Sequence, residues 1–188
     1  ITLKSERIYF REGKVALHIT TLSENTASMG DFLGEWGLCV LVETDDAKIL
    51  FDTGAGISAV HNADSFGIDL SIVDKIVLSH GHYDHTGGLR EVLRRMKKEV
   101  EIIAHPDIWQ AKYSRREGKP DRYIGIPFRR EELESLGARF SLTRKTTKIT
   151  DDIWRKTSAR FHRRCCAART SPLEVQHACV VFSGLSQT

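Results

Sequence analysis

The sequence predicts an α/β layered fold on three observations. Strand and helix patterns alternate through the first 150 residues. Hydrophobic residues make up 40% and charged residues 28%, close to an ordinary globular chain. The length of 188 residues suits one domain with room for an appendage.

Val15 to Thr20 reads as a strand. Gly37 to Glu43 reads as a second, buried one. Thr44 to Ala47 turns the chain, and Lys48 to Asp52 returns as its hairpin partner. Thr53 to Gly56 is a loop, followed by a short helix over Ser58 to Asp64, and Lys75 to Ser79 is another buried strand. Gly87-Gly88 opens a helix in which Leu89, Val92, Leu93 and Met96 share one face. Val100 to Ala104 is a strand. Pro106 suits the first turn of a short helix reaching Lys112, because its missing N–H is not needed there. Ser114 to Tyr123 is a charged, exposed loop. A helix over Arg130 to Leu136 stops at Gly137, and Ala138 to Leu142 and Thr147 to Thr150 are short strands. From Arg155 to Gln176 neither periodicity holds, and order resumes in a strand over Ala178 to Phe182.

Charge and cysteine follow the same division. The formal net charge of +3 is too small to call for nucleic acid, and residues 153–188 carry six Lys and Arg against Glu174 alone. Cys165, Cys166 and Cys179 also lie there, and adjacent Cys165-Cys166 is neither a metal pair nor a secreted disulfide framework. Reduced thiols and the absence of a signal-like apolar segment near Ile1 point to a cytoplasmic protein. No apolar run reaches the roughly 18–20 residues of a membrane span.

The chemistry concentrates in Ser79-His80-Gly81-His82-Tyr83-Asp84-His85-Thr86-Gly87-Gly88. Three imidazoles and a carboxylate directly after a buried strand form a donor set suited to zinc or a related divalent ion. On extended backbone His80 and His82 point to one side and can hold one ion, while Asp84 and His85, past the bend, can serve a second. Gly81, Gly87 and Gly88 let the backbone turn tightly. Other marked residues read more plainly: His18 and His61 as structural, His105 as a solvated loop histidine, Cys39 as a small core residue, and Trp36 and Tyr83 as core or pocket aromatics.

His80, His82, Asp84 and His85 resemble the His-x-His-x-Asp-His signature of the metallo-β-lactamase fold superfamily. Leu50-Phe51-Asp52-Thr53-Gly54 is similar to its earlier strand-end motif, in which the aspartate supports the metal ligands from behind; that role falls on Asp52. Glu35-Trp36-Gly37-Leu38, His61-Asn62-Ala63 and Ala104-His105-Pro106 extend a narrower resemblance, over about residues 15–150, to the branch of 7,8-dihydropterin-6-yl-methyl-4-(β-D-ribofuranosyl)aminobenzene 5′-phosphate synthase and related metal-dependent hydrolases.

The resemblance implies an αββα sandwich whose second half is incomplete, with residues 1–154 as the N-terminal half and 155–188 as a basic irregular segment plus one strand. It implies one or two zinc or similar ions and a metal-activated water attacking an ester or phosphoester bond, with Asp84 orienting that water. It also implies a small-molecule substrate, phosphorylated if the branch's label carries over. The superfamily draws further ligands from its second half, where Gln187 stands in place of an expected histidine; His162 and His177 read as non-ligands. The alternative expectation is a catalytically silent binding protein, or an incomplete enzyme, on the same fold. On either reading this chain is expected to hold metal weakly.

Overall fold

The apolar runs become strands buried on both faces. A computed structural model of the chain describes residues 5–9, 15–27, 30–150, 153–158 and 177–182. The strands are β1 (Ser5–Tyr9), β2 (Val15–Ser23), β3 (Cys39–Glu43), β4 (Lys48–Phe51), β5 (Lys75–Val77), β6 (Val100–Ala104) and β9 (Ala138–Leu142), joined in that order into one seven-stranded sheet. β1 to β4 pair antiparallel, whereas β4, β5, β6 and β9 run parallel. The parallel strands are linked through α1 (Ser58–Ser65), α3 (Leu89–Met96) and α4 (Arg130–Ser135), because a parallel pair needs a crossover.

Successive strand residues alternate between two cores. Leu41, Leu50, Ile76, Leu78 and Ile102 meet Ala59, Ala63, Leu89, Val92, Leu93, Met96 and Leu133 of the helices. Leu17, Val42, Ile49, Val77 and Ile103 face the other way and meet Ile153. Ile153 belongs to β11 (Ile153–Ser158), which pairs antiparallel with β10 (Thr147–Lys148) and β12 (His177–Phe182) in a second sheet. The described residues therefore form a mixed α/β fold with helices, a large sheet and a small sheet in layers.

The structure revises several expectations. The helix expected to open at Gly87-Gly88 is α3, with Gly88 at its N-cap, but a one-turn helix before the glycines, α2 (Tyr83–Thr86), was not expected. The helix expected to reach Lys112 is a 3₁₀ turn, Pro106–Trp109, since residues 110–112 add no apolar repeat. The expected loop at 114–123 contains a two-stranded ribbon, β7 (Tyr113–Ser114) and β8 (Arg122–Tyr123), with the two tyrosine rings 5.5 Å apart across it. β1 was not expected, and β11 extends to Ser158 where periodicity fails. A six-residue strand inside a basic run gives no alternation that a sequence can show. Cys165, Cys166, His162 and Gln187 lie outside the described residues.

Candidate metal centre

Ligands in open parallel sheets gather beyond the carboxyl ends of the strands. Three strand ends matter here: Asp52 follows β4, Ser79 and His80 follow β5, and His105 follows β6. Beyond β5 the chain bends at Ser79, and His82 occupies the N-cap position of α2, which carries Asp84 and His85 in its only turn. A four-residue helix has no stability of its own. Tertiary hydrogen bonds hold it: Leu38 N donates to Asp84 O (3.3 Å), Thr53 N to His85 O (2.9 Å) and Tyr83 N to Ile124 O (3.0 Å).

The glycines in this stretch serve close approach rather than turning. None of Gly81, Gly87 and Gly88 has a positive φ. A Cβ at Gly88 would collide with the Thr53 carbonyl, one at Gly87 with Ala55, and one at Gly81 with Ile108. All three obstacles are backbone and cannot swing away. Gly88→Ala is accordingly expected to destabilise the fold by about 3 kcal/mol or more. A denaturation midpoint within experimental error of the unaltered chain would refute this packing account.

The four sequence-selected residues come together. His80 Nε2 lies 3.0 Å from His82 Nδ1. Donor atoms of His80, His82 and Asp84 all fall within 4.8 Å of one another. His85 Nε2 is 3.6 Å from Asp84 Oδ2, so Asp84 neighbours both the histidine pair and His85. Tetrahedral zinc with ligands at about 2.0–2.1 Å holds its donors roughly 3.3 Å apart, so the His80, His82 and Asp84 atoms need only a small contraction to share an ion. The donor chemistry, two imidazole nitrogens and a carboxylate oxygen, also fits.

Asp52 lies behind this cluster, fully buried, with φ 56. Its Oδ1 accepts from Ser79 N (2.8 Å), and its Oδ2 accepts from Ser79 Oγ (2.6 Å) and from His85 Nδ1 (2.7 Å). Burial works to lower the pKa of His85, but the Asp52 hydrogen bond and the charges of Asp52 and Asp84 outweigh it, and the net shift is upward. Ser79, which opened the donor-rich stretch in the sequence reading but was given no role there, is thus a member of the site. Its one signal was adjacency to His80.

His105 departs from expectation. It is buried (3% exposed), and its Nδ1 accepts from Asp107 N at 3.1 Å, capping the 3₁₀ turn. The buried run Ile102-Ile103-Ala104 before it carries it inside. Burial, Arg144, Arg155 and Lys112 lower its pKa against the opposing pull of Asp107. Lys112 donates to the carbonyls of Asp107, Ile108 and Gln110, and burial brings its ammonium down to about 8. An NMR titration of the lysine side chains should therefore find one group titrating near 8; a set that all titrates near the ordinary 10.5 would show this ammonium to be more solvated than drawn.

Cys39 is buried, and burial together with the nearby Asp52 charge pushes its thiol well above the usual range, which suits an inert core residue. His18 pairs with Glu43 and His61 with the Asp31 carbonyl, both structural roles. Trp36 is 65% exposed beside Gly37, which packs on the Asp84 carbonyl, and Arg122 lies over the Tyr83 ring. Neither aromatic is core. Among the described residues no helix is long and apolar enough to cross a membrane.

The family model described as Metallo-beta-lactamase superfamily matches residues 37–152. Over 152 residues the chain is 32% identical to the 7,8-dihydropterin-6-methyl-4-(beta-D-ribofuranosyl)-aminobenzene-5'-phosphate synthase of Methanocaldococcus jannaschii, covering 76% of this chain and 51% of that protein. An uncharacterized protein of the same organism is 35% identical over 136 residues, covering 72% of this chain and 50% of its own length. The chain thus spans about half the length of these curated relatives. Among solved structures, Tm1679, described as a metal-dependent hydrolase of the beta-lactamase superfamily, superposes with a TM-score of 0.66 at 25% identity, covering 88% of this chain and 61% of that one.

Proposed function

Because the chain belongs to the metallo-β-lactamase superfamily, we propose that it is a metal-dependent hydrolase in which His80, His82, Asp84 and His85 hold one or two divalent ions. The observation that carries this reading is the convergence of donor atoms from His80, His82 and Asp84 at the end of β5. When bound, a divalent cation such as zinc supplies Lewis-acid polarisation and a water acidified to near neutrality. His80 and His82 supply the neutral nitrogen donors. Asp84, which neighbours His85, would accept a hydrogen bond from the attacking water and orient it toward the substrate. Asp52 holds His85 through Nδ1, which leaves Nε2 turned to the cluster.

The substrate class we infer is a small ester or phosphoester. A link to pterin biosynthesis is supported only by the name of the methanogen relative. We place the protein in the cytoplasm, in keeping with the free thiol of Cys39. In domain terms we assign residues 1–154 to the family's first half and 155–188 to part of its second.

One observation favours the alternative, a metal-binding protein without catalysis: among the described residues a single donor group gathers, with three members. Stripping the protein with chelator and adding zinc or manganese separates the two. Return of hydrolysis of bis(p-nitrophenyl) phosphate or p-nitrophenyl acetate with bound metal supports the enzyme. Metal uptake with no turnover of either substrate supports the silent protein, and no uptake removes the metal-dependent hydrolase.

A further inference from the structure

Two hydrogen-bond paths leave the Asp52 carboxylate toward the donor cluster. One is direct, to His85 Nδ1 at 2.7 Å. The other passes through Ser79: its Oγ is 2.6 Å from Asp52 Oδ2 and 2.9 Å from His80 Nδ1. A serine hydroxyl has one proton and an ionised carboxylate has none. The short approach to Asp52 therefore takes the hydroxyl proton, since otherwise two oxygen lone pairs would face each other in a buried site. With its proton committed, Ser79 Oγ can only accept from the imidazole, so the ring hydrogen of His80 resides on Nδ1. His85 reaches the same state without an intermediary, because its Nδ1 faces an acceptor-only group. The 3.0 Å contact between His80 Nε2 and His82 Nδ1 agrees, with His80 accepting.

We propose that Ser79 is a positioning residue that carries the orientation set by Asp52 onward to His80, so that one buried carboxylate fixes two imidazoles in the same tautomer with both Nε2 lone pairs turned to the cluster. The purpose of this arrangement rests on the metal reading above; the tautomers themselves do not. Ion-binding imidazole must be unprotonated at the binding nitrogen, and with the His80 tautomer preset the ring gives up only its hydrogen bond from His82 on loading.

The test is a long-range proton–nitrogen correlation on metal-free protein labelled at histidine nitrogen, at a pH where the rings are neutral. His80 and His85 should both show a protonated Nδ1 and a bare Nε2. Ser79→Ala should disturb His80 while leaving His85 in place, and Ser79→Thr, which keeps a hydroxyl, should restore His80. In a chelator competition, Ser79→Ala should lower zinc affinity about 10–100-fold and Ser79→Thr should stay within about threefold of the unaltered protein. A protonated Nε2 on His80 in the unaltered protein overturns the proposal, and so does a Ser79→Ala protein whose His80 signals and zinc affinity are both unchanged. If Ser79→Ala does not fold, the unaltered and threonine proteins still decide. If the tautomers are as stated but the unaltered protein takes up no zinc, the metal reading fails and the relay stands.

Discussion

Zinc affinity is expected to fall roughly 100- to 1,000-fold when His82 is replaced with alanine. The size follows from the donor arithmetic. Zinc binding to a four-ligand protein site is worth roughly 10–16 kcal/mol, so one ligand in four carries about 2.5–4 kcal/mol. Among the described residues only His80, His82 and Asp84 gather closely, so no further donor there takes the place of His82. His105→Ala is the control. It removes a buried ring and the cap of the 3₁₀ turn, so it should lower stability, yet His105 is not in the donor group and zinc affinity should hold. Equal loss of zinc in both variants would mean that affinity tracks general destabilisation. Unchanged zinc in His82→Ala, with circular dichroism showing a folded chain, would remove His82 from the site.

The parts of this structure that were legible in the sequence share one property: each repeats a pattern long enough to have a period, or packs distinctive chemistry into a few residues. Leu89, Val92, Leu93 and Met96 show α3 by spacing alone, and all four are buried. The runs around Leu41, Leu50, Ile76 and Ile102 show strands because two cores bury both faces. His80, His82, Asp84 and His85 stood out by density. What stayed hidden depends on tertiary partners. α2 is one turn long and is held by Leu38, Thr53 and Ile124, which no local period can announce. The part played by Ser79 depends on Asp52, 27 residues earlier in the chain. The glycines at 81, 87 and 88 suggested tight turns, but the fold needs them for the absence of a side chain. β11 became a strand because β10 and β12 pair with it and Ile153 enters the second core, although its own sequence is basic and irregular.

Asp52 sets two physical effects against each other, and its variants separate them. With φ 56 it occupies left-handed backbone, where an aspartate is strained and a glycine is not. That strain is about 1 kcal/mol. Against it stand three donors aimed at one fully buried carboxylate: Ser79 N, Ser79 Oγ and His85 Nδ1. Leaving a buried donor without an acceptor costs about 1–3 kcal/mol. The donors win, so Asp52→Gly should be destabilised by about 3–5 kcal/mol even though its backbone relaxes. Asp52→Asn, which keeps the shape but turns one oxygen into a donor, should lose about 2–4 kcal/mol. The pH dependence offers a second reading. His85 has a folded pKa above its ordinary 6.5, so its contribution to the metal-free protein is fully present below that value. As pH rises through the higher folded pKa, the ring loses its proton and this contribution is lost. Asp52→Asn removes the hydrogen-bonding carboxylate that raises the value, so its stability should be flatter across the same window. Urea midpoints of the metal-free proteins, measured from mildly acidic to mildly alkaline pH, give both results. An Asp52→Gly chain more stable than the unaltered one, or an Asp52→Asn chain with the same slope, would assign the site's cohesion to something other than this carboxylate.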